Sequence, residues 1–278
     1  MANLFIHQIY YNEETRLGLD AGFIPLDNMS NARPDWYEFW PIRQYLHAHL
    51  EQMNEDDLYG FFSPKFGRKL GLTSSDVIGF VQQKFRADVD AFIFSPCWDQ
   101  AAFFRNVFEQ GNYWHAGLLD MSTEFFKRIG QPVDLHQLIT HSQNTAFCNY
   151  TIAKPKFWRE WLALGEQFFQ MVEAGEDDFA RSFSDNTYYI GGYKYPMKTF
   201  VQERLATYIL ATGGYAIEAF DTFSLPASMP MADNEYCLNL LACDAYKQVY
   251  VQTGQPTFAG AYQCLRNRIT AEFVQRVL

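Results

Sequence analysis

The sequence predicts an α/β protein with a Rossmann-like sheet in its first half and mainly helices in its second half. Short apolar runs flank a helical segment between residues 57 and 96, in the strand–helix–strand order of a parallel βαβ unit. Most of the chain after residue 196 falls into long segments typical of helices. We expect one domain over 1–278, with an α/β half at 1–155 and a mainly helical half at 156–278.

Four strands and four helices are predicted in the first half. The strands are short runs rich in β-branched and aromatic residues, at 3–11, 57–66, 88–96 and 144–154. The helices are predicted over 35–53, 73–85, 99–110 and 118–130. Thr73 and Asp76 have the spacing of a capping box, whereas Pro41 predicts a break or a fresh start in the first helix. The stretch 12–34 has loop composition, and a loop of this length more often has a function than not.

Helices dominate the predicted second half. They are expected over 155–175, where Pro155 suits a first turn, and over 197–212, 234–252 and 257–278. The stretch 185–196 is rich in turn residues and is predicted to be a lid or a hairpin.

Composition and charge limit the possible partners and compartment. A net charge of −10 argues against nucleic acid as the main partner and against general attraction to anionic lipid. Five cysteines without a C-x-x-C pair favour a reducing compartment. The N-terminal residues resemble a first strand more than a signal peptide, and no apolar run is long enough to span a bilayer. We expect a cytoplasmic protein, and peripheral contact with the inner face of a membrane or with other enzymes stays open.

The pair Asp88 and Asp90 has the D-x-D spacing with which carboxylates can hold a divalent metal. In open α/β sheets, however, ligands bind beyond the carboxyl ends of the strands. This pair precedes its strand, so we expect both carboxylates at the amino end, as solvated acids. Asp99 and Gln100 follow the strand and are the better site candidates, although Asp99 also suits a helix N-cap.

Basic and paired charged residues supply further candidates. The stretch SPKFGRK (63–69) puts Lys65 and Arg68 after the second strand, where they could neutralise a phosphate, with a solvated basic loop as the alternative. Lys198, Glu203 and Arg204 lie in an otherwise apolar helical segment. Buried charges need partners, so a structural ion pair is the alternative to a binding role there.

His141 and Asn149 complete the set of candidates from residue chemistry. His141 could act as a base, although a single histidine is more often structural. Asn149 is predicted inside a strand, where asparagine is disfavoured, so a hydrogen-bonding role is plausible. The sequence contains no G-x-G-x-x-G, Walker, H-E-x-x-H or G-x-S-x-G motif, and its six histidines form no metal-binding pattern.

Three stretches together resemble bacterial polysaccharide-biosynthesis glycosyltransferases of the capsule and O-antigen type. NLFIHQIYYNEET is similar to their first strand. FCNYTIAKPKFWREWL resembles their N-x-x-x-A-K/R-P segment, and YPMKTFVQERLATYIL resembles their M-K-x-F-x-x-E-R-L segment. The resemblance implies a GT-A-like nucleotide-diphospho-sugar transferase fold with a mixed sheet. It also implies transfer of a sugar from a nucleotide donor, most simply a UDP-sugar, to a glycan or lipid-linked acceptor.

Carried onto this chain, the most family-like positions are Asn149, Lys198, Glu203 and Arg204, and the glycosyltransferase hypothesis gives roles to all the candidates. Glu203, Asp99 or His141 would provide the acid–base chemistry. The donor would be bound by residues from the first strand, the basic loop and the later segments, namely His7, Tyr11, Asn12, Lys65, Arg68, Gln100, Asn149, Lys198 and Arg204. No D-x-D follows the third strand, so we assign no metal ligand and leave Mn²⁺ or Mg²⁺ open.

Two other functions stay open on the sequence alone. A non-catalytic glycan-binding or scaffold protein of the same pathway would explain the missing D-x-D motif. An unrelated α/β enzyme acting on a small molecule also stays open, because a fold does not determine a function.

Overall fold

The computed structural model describes residues 2–131, 133–188, 192–228 and 234–277. They form a mixed six-stranded sheet in the order β2-β1-β3-β5-β4-β8 and a separate two-stranded hairpin, β6-β7. The strands are β1 (Leu4–Tyr10), β2 (Ile24–Asp27), β3 (Leu58–Phe62), β4 (Ala91–Ile93), β5 (Thr151–Ala153), β6 (Asn186–Tyr188), β7 (Lys194–Pro196) and β8 (Ile217–Ala219).

Helices cover both faces of the sheet and extend beyond it. They are α1 (Glu13–Leu17), α2 (Phe39–His49), α3 (Phe66–Leu70), α4 (Ser74–Lys84), α5 (Trp98–Phe103), α6 (Val107–Trp114), α7 (Leu118–Arg128), α8 (Pro155–Ala174), α9 (Asp178–Ser182), α10 (Met197–Gln202), α11 (Leu205–Thr212), α12 (Asn234–Thr253) and α13 (Pro256–Val277). The α/β class predicted from the sequence is therefore confirmed, and the mixed sheet is compatible with a Rossmann-like fold.

Five strands of the sheet run in one direction and one strand opposes them. β1 pairs in parallel with β2 and β3, and β4 pairs in parallel with β8. β5 is antiparallel to both of its neighbours, β3 and β4, which are therefore parallel to each other. The predicted parallel βαβ unit is β3-α4-β4, with β5 inserted between its strands. The carboxyl ends of the parallel strands meet at one edge, where the chain also enters β5.

Aromatic side chains fill both faces of the sheet. On one face α2, α7, α8 and α11 pack through a large cluster, and Trp158 of α8 donates its indole N–H to the carbonyl of Tyr59 at 2.9 Å. On the other face α3 and α4 pack around Phe62, Phe66 and Tyr150. Burial of such rings contributes roughly 1.5–3 kcal/mol each, which makes these two clusters the main source of stability.

The two long C-terminal helices pack on α5. Trp98, Leu240 and Tyr262 form the centre of this third cluster. Lys247 is buried beside it and donates to the carbonyls of Ala101 and Phe104 at the end of α5. The helices predicted at 234–252 and 257–278 are confirmed, and over the described residues their ends agree with α12 and α13 within one or two residues. Among the described residues, no helix combines the length and apolarity needed to cross a membrane.

Two edge strands were missed by the sequence analysis. β2 (Ile24–Asp27) lies in the predicted 12–34 loop, and β8 (Ile217–Ala219) lies in the half predicted to be mainly helical. Each strand borders the sheet on one side only and is largely exposed or half-buried, so neither has an apolar run. Pro25 is tolerated in β2 because edge strands can lack a ladder donor. The sheet therefore draws one strand from beyond residue 155.

Two predicted helices are each divided in two. The 99–110 segment breaks before Asn106, whose Oδ1 accepts from the backbone N–H groups of Phe108 and Glu109 at 2.9 Å each and so begins α6. The 197–212 segment breaks at Glu203 and Arg204, between α10 and α11. The predicted capping box of Thr73 is confirmed. The predicted hairpin forms from β6 and β7, and residues 189–191 between them lie outside the described residues.

Candidate functional site

Polar side chains from three loops converge at the carboxyl edge of the sheet. Phe147, before β5, donates its backbone N–H to Ser95 Oγ, after β4, at 3.0 Å. Ser63, after β3, shares a 2.8 Å hydrogen bond with the hydroxyl of Tyr150. These bonds hold the three loops together. We call the polar residues around them the carboxyl-edge cluster, which consists of Glu38, Lys65, Lys69, Cys97, Cys148, Asn149 and Glu203.

The backbone of this cluster is unusual. Cys97, Cys148 and Asn149 have φ angles of 62°, 64° and 55°, in the left-handed region that favours glycine. Asparagine tolerates this region better than cysteine does. Such conformations cost of order 1–3 kcal/mol each and concentrate at functional sites, which supports a functional role for this edge.

Asn149 was predicted inside a strand, and that placement is wrong. The strand begins at Thr151, and Asn149 lies in the turn before it. Asparagine tolerates a left-handed backbone, which accounts for an asparagine at this position although it does not lie in a strand. Its side chain is 4% exposed, and Oδ1 has no hydrogen-bond partner among the described residues. A buried polar atom without a partner needs an explanation, and a bound ligand would supply one.

Lys69 and Cys148 form a close polar pair. Lys69 Nζ donates to Cys148 Sγ at 2.9 Å and lies 5.8 Å from the centre of the Tyr150 ring. Burial lowers the pKa of Lys69, but the neighbouring Cys148, Tyr150 and Glu203 outweigh burial and raise that pKa above its ordinary value. Burial also raises the pKa of Cys148. Lys69 therefore stays protonated at neutral pH, and its ammonium group could bind an anion beside Cys148.

Glu203 lies at the break between α10 and α11. It is partly buried, and burial raises the pKa of its carboxyl group. Lys69, Arg204 and Lys65 oppose this rise in pKa, whereas the nearby Glu38 adds to it. A carboxylate with a raised pKa that solvent can still reach suits a role in proton transfer.

Arg204 and Lys198, both predicted donor ligands, each have partners within the protein. Arg204 donates to the carbonyls of Val107 and Phe200 at 2.7 and 2.5 Å and to Gln110 Oε1 at 2.7 Å. These bonds clamp α10 to α6. Because Arg204 also lowers the pKa of Glu203, its guanidinium lies beside the carboxyl-edge cluster, in a position that these bonds fix.

Lys198 is buried in an ion pair on the other side of α10. Its Nζ lies 2.5 Å from Asp35 Oδ2 and 4.5 Å from the centre of the Trp36 ring. Burial alone would raise the pKa of Asp35, but hydrogen bonds from Arg33 and Lys198 lower it to about 2. Lys198 therefore has the structural ion pair that the sequence analysis left as the alternative.

Asp99 and Gln100 belong to a hydrogen-bond chain beside the cluster. Asp99 is 0% exposed and accepts from Ser228 Oγ at 2.9 and 3.0 Å. Gln100 donates to Ser228 Oγ at 2.8 Å and accepts from Gln110 at 2.7 Å. The N-cap of α5 is Cys97, so Asp99 is not the cap. Because Asp99 is fully buried and bonded, Glu203 is the more accessible carboxylate.

The two candidate histidines lie in separate, buried surroundings. His7 in β1 packs against Tyr45 and Phe61, and burial lowers its pKa to about 4. His141 lies beside α12, where its Nδ1 accepts from the backbone of Gln143 at 3.2 Å, and burial lowers its pKa to about 4 as well. Both rings are therefore neutral at pH 7, and the structure brings neither into the carboxyl-edge cluster.

The remaining candidates lie at the surface of the same edge. Tyr11 follows β1 and is exposed, whereas Asn12 uses its Oδ1 to cap α1 through the N–H of Thr15 at 2.8 Å. Lys65, Arg68 and Lys69 are exposed at the start of α3 and within it; Arg68 directly precedes Lys69, and Lys65 lies one turn before it. The basic residues predicted after the second strand thus share a short helix at the carboxyl edge.

Asp88 and Asp90 lie at the opposite, amino edge, as the strand polarity predicted. Asp88 is solvated as expected, but that expectation is wrong for Asp90, which is only 7% exposed because its carboxylate is paired. Asp90 lies 2.7 Å from Lys156 and 3.5 Å from Lys154, and it also accepts from the backbone N–H of Ala216 at 3.1 Å. Asp88 is exposed and lies 3.4 Å from Arg86. Within the described ranges, no group of three or more histidine, cysteine, aspartate or glutamate side chains could hold a metal ion.

Sequence reasoning missed several groups at this edge. Glu38 and Cys148 belong to no motif, and only the neighbouring candidate Asn149 pointed to the loop that holds Cys148. Gln202, one residue before Glu203, is 1% exposed, and neither end of its amide has a hydrogen-bond partner in the described part of the chain. Such side chains can be recognised only once the tertiary structure shows their burial.

The arrangement has two chemical halves. Lys65, Arg68 and Lys69 provide positive charge on α3, and Glu203 with Glu38 provides carboxylates nearby. An anionic group and a hydroxyl that must lose a proton could therefore bind side by side. Searches against protein-family models, curated proteins and solved structures found no match to this chain.

Proposed function

We propose that this protein is a glycosyltransferase that moves a sugar from a nucleotide-diphosphate donor, most simply a UDP-sugar, to a glycan or lipid-linked acceptor. The observation that carries the proposal is the convergence of the basic residues at α3 with the carboxylate of Glu203 at the carboxyl edge, where Lys69 and Glu203 each influence the pKa of the other and burial raises the pKa of Glu203. Nucleotides bind at this edge in open α/β sheets. The mixed sheet is compatible with the GT-A-like fold that the sequence resemblance implies.

The positive half of the site would bind the donor diphosphate. Lys65, Arg68 and Lys69 lie within about one turn of each other on α3, at the end of β3. Charge-assisted hydrogen bonds from such groups stabilise the negative charge that develops on a leaving diphosphate. Tyr11, exposed at the end of β1, would face the base or ribose of the nucleotide.

Glu203 would act as the general base. Its carboxylate takes the proton from an acceptor hydroxyl, the hydroxyl oxygen bonds to the anomeric carbon, and the bond from that carbon to the diphosphate oxygen breaks. The nucleoside diphosphate leaves with the bonding electrons. A single displacement of this kind inverts the anomeric centre. General-base catalysis of this type contributes typically 10²–10⁴-fold in rate.

A bacterial surface-polysaccharide pathway fits this proposal, because the sequence resemblance lies with capsule and O-antigen enzymes. Such an enzyme would work in the cytoplasm, at or near the inner face of the membrane where lipid-linked acceptors are held. Neither Mn²⁺ nor Mg²⁺ is assigned to a residue, and transfer assays with and without manganese address the metal directly.

Nucleotide binding and turnover test the proposal with separate variants. A thermal-shift panel of nucleotides should identify a UDP-type ligand for the wild-type protein. Lys69→Gln should weaken that binding roughly tenfold, equivalent to about 1.4 kcal/mol. Glu203→Gln should keep the binding and lose about 10²-fold or more in transfer rate. Lys127→Gln, an exposed lysine on α7, is the matched control and should change neither.

The same panel separates this proposal from a non-catalytic glycan-binding or scaffold protein. That alternative is favoured by exposed aromatic side chains at the end of α6, which could bind a glycan without any chemistry. It predicts glycan binding with no nucleotide affinity. Absence of binding to every nucleotide and sugar nucleotide tested would overturn the glycosyltransferase proposal.

A further inference from the structure

Two exposed aromatic rings form a corner at the end of α6. Tyr113 is 66% exposed and Trp114 is 42% exposed, and their ring centres lie 5.0 Å apart with the planes at 89°. The other five tryptophans are buried or half-buried. Contiguous exposed apolar surface often marks a binding site, because its apolar area otherwise stays in contact with water. We call Tyr113 and Trp114 the aromatic corner.

A hydrogen-bonding side chain lies beside the aromatic corner. The indole N–H of Trp114 donates to Gln100 Oε1 at 3.4 Å, and Gln110 donates to the same oxygen at 2.7 Å. Gln100 also donates to Ser228, which is bonded to Asp99. A flat ring next to amide and hydroxyl groups matches a pyranose, which presents C–H bonds on its face and hydroxyls around its rim.

The aromatic corner and Glu203 belong to one packed unit. His115, the next residue after Trp114, stacks on Phe200 of α10 with ring centres 3.5 Å apart. Phe200 lies inside α10, three residues before Glu203, where the break begins. The Arg204 side chain adds bonds to α6 at Val107 and Gln110. A sugar held on the corner would therefore keep a fixed position relative to the Glu203 carboxylate.

Charge indicates what kind of sugar fits. The positive residues lie on α3, whereas Glu203 and Glu38 are neighbouring carboxylates on the other half of the site. Two carboxylates disfavour an anionic sugar by like-charge repulsion. We infer that the aromatic corner is the acceptor subsite and binds the terminal pyranose of a neutral glycan by stacking on Trp114. The acceptor role rests on the proposed glycosyltransferase function, whereas glycan binding at Trp114 does not require catalysis.

Glycan binding tests the inference without an activity assay. Wild-type protein is applied to an array of neutral and acidic bacterial surface oligosaccharides, and the retained glycan is then titrated while acrylamide quenching of tryptophan fluorescence is measured. We expect retention of neutral glycans and protection of Trp114 from the quencher. Trp114→Ala and Tyr113→Ala should weaken the binding roughly tenfold or more, whereas Trp114→Phe should keep part of it. Tyr250→Ala on α12 is the control and should bind as wild type.

The outcomes distinguish the inference from the proposed function. Retention of no neutral glycan, or unchanged glycan affinity in Trp114→Ala, would overturn the subsite. Each variant is also tested for the thermal shift given by UDP, which the aromatic corner should not influence. Glycan binding at Trp114 without any nucleotide binding would refute the glycosyltransferase and leave the glycan site standing. Nucleotide-sugar turnover together with a glycan affinity that does not depend on Trp114 would support the glycosyltransferase and refute the glycan site.

Discussion

Glu203 is the residue on which the proposed chemistry depends most, and its neighbours predict how its activity varies with pH. Burial raises the pKa of Glu203, Lys69 lowers it, and Glu38 raises it. A general base works only when deprotonated, so the transfer rate falls as the pH drops through this pKa. The acid limb of the rate profile should therefore lie above the range of an ordinary glutamate.

Two substitutions should move that limb in opposite directions. Glu38→Gln removes a negative neighbour, so the pKa of Glu203 falls and the limb moves to lower pH. Lys69→Gln removes a positive neighbour, so the pKa rises and the limb moves to higher pH, in addition to the loss of donor affinity. The measurement is kcat against pH at saturating donor, with Lys127→Gln as control. Shifts in the same direction would show that another group sets the limb.

Asn149 combines a left-handed backbone with a buried oxygen that lacks a partner among the described residues. Glycine adopts this backbone without strain, so Asn149→Gly should keep the melting temperature close to that of the wild type. Asn149→Ala should destabilise the protein by about 1 kcal/mol. If the amide contacts the donor, both variants should bind UDP roughly tenfold more weakly. If Asn149→Gly bound UDP with wild-type affinity, the left-handed backbone alone would account for asparagine at position 149.

At the scale of elements, the break between α10 and α11 depends on one clamp. A Cβ at Gly111 of α6 would lie 2.5 Å from Arg204 Nε and 2.7 Å from its Cζ, so only glycine leaves room for the guanidinium. The three Arg204 hydrogen bonds hold α10 against α6 at the point where Glu203 leaves the helix. Glycine in a helix and arginine in an apolar segment, both unfavourable locally, are explained by this single contact.

A double-mutant cycle measures the clamp. Arg204→Ala should cost about 3 kcal/mol, because it leaves buried carbonyls and Gln110 without a donor. Gly111→Ala should cost roughly 1–3 kcal/mol by overpacking against the guanidinium. In the Arg204→Ala background the same change should be neutral or stabilising, since alanine favours a helix over glycine by up to about 1 kcal/mol. The free energy of unfolding of the four proteins is measured in urea. If the effects of the two substitutions were simply additive, the contact between Gly111 and Arg204 would be contradicted.

For the whole molecule, strand polarity was the most reliable guide that the sequence provided. Strongly apolar central strands, such as β3 and β4, were predicted, and their direction correctly put Asp90 at the amino edge. The exposed edge strands β2 and β8 had no apolar run to reveal them. Lys198 and Arg204 looked like ligands because a charge in an apolar segment needs a partner, and the sequence could not show that Asp35 and Gln110 are those partners.

The two edges of the sheet should consequently respond differently to mutation. Asp90 is nearly buried at the amino edge, where it joins Lys156 and the backbone of Ala216 to the start of β4. Asp90→Asn should therefore lower the free energy of unfolding by about 1–2 kcal/mol. The nucleotide affinity and the transfer rate should not change, with or without manganese, because the proposed donor site lies at the carboxyl edge.

Asp88→Asn is the matched comparison, since the Asp88 side chain is exposed and its 3.4 Å ion pair with Arg86 lies at the surface. It should alter neither stability nor binding measurably. The measurements are urea unfolding and UDP titration of both variants. If Asp90→Asn or Asp88→Asn instead abolished manganese-dependent UDP binding while the unfolding free energy stayed at the wild-type value, the D-x-D pair would be a donor site. The polarity argument, and with it the assignment of Lys69 and Glu203, would then fail together.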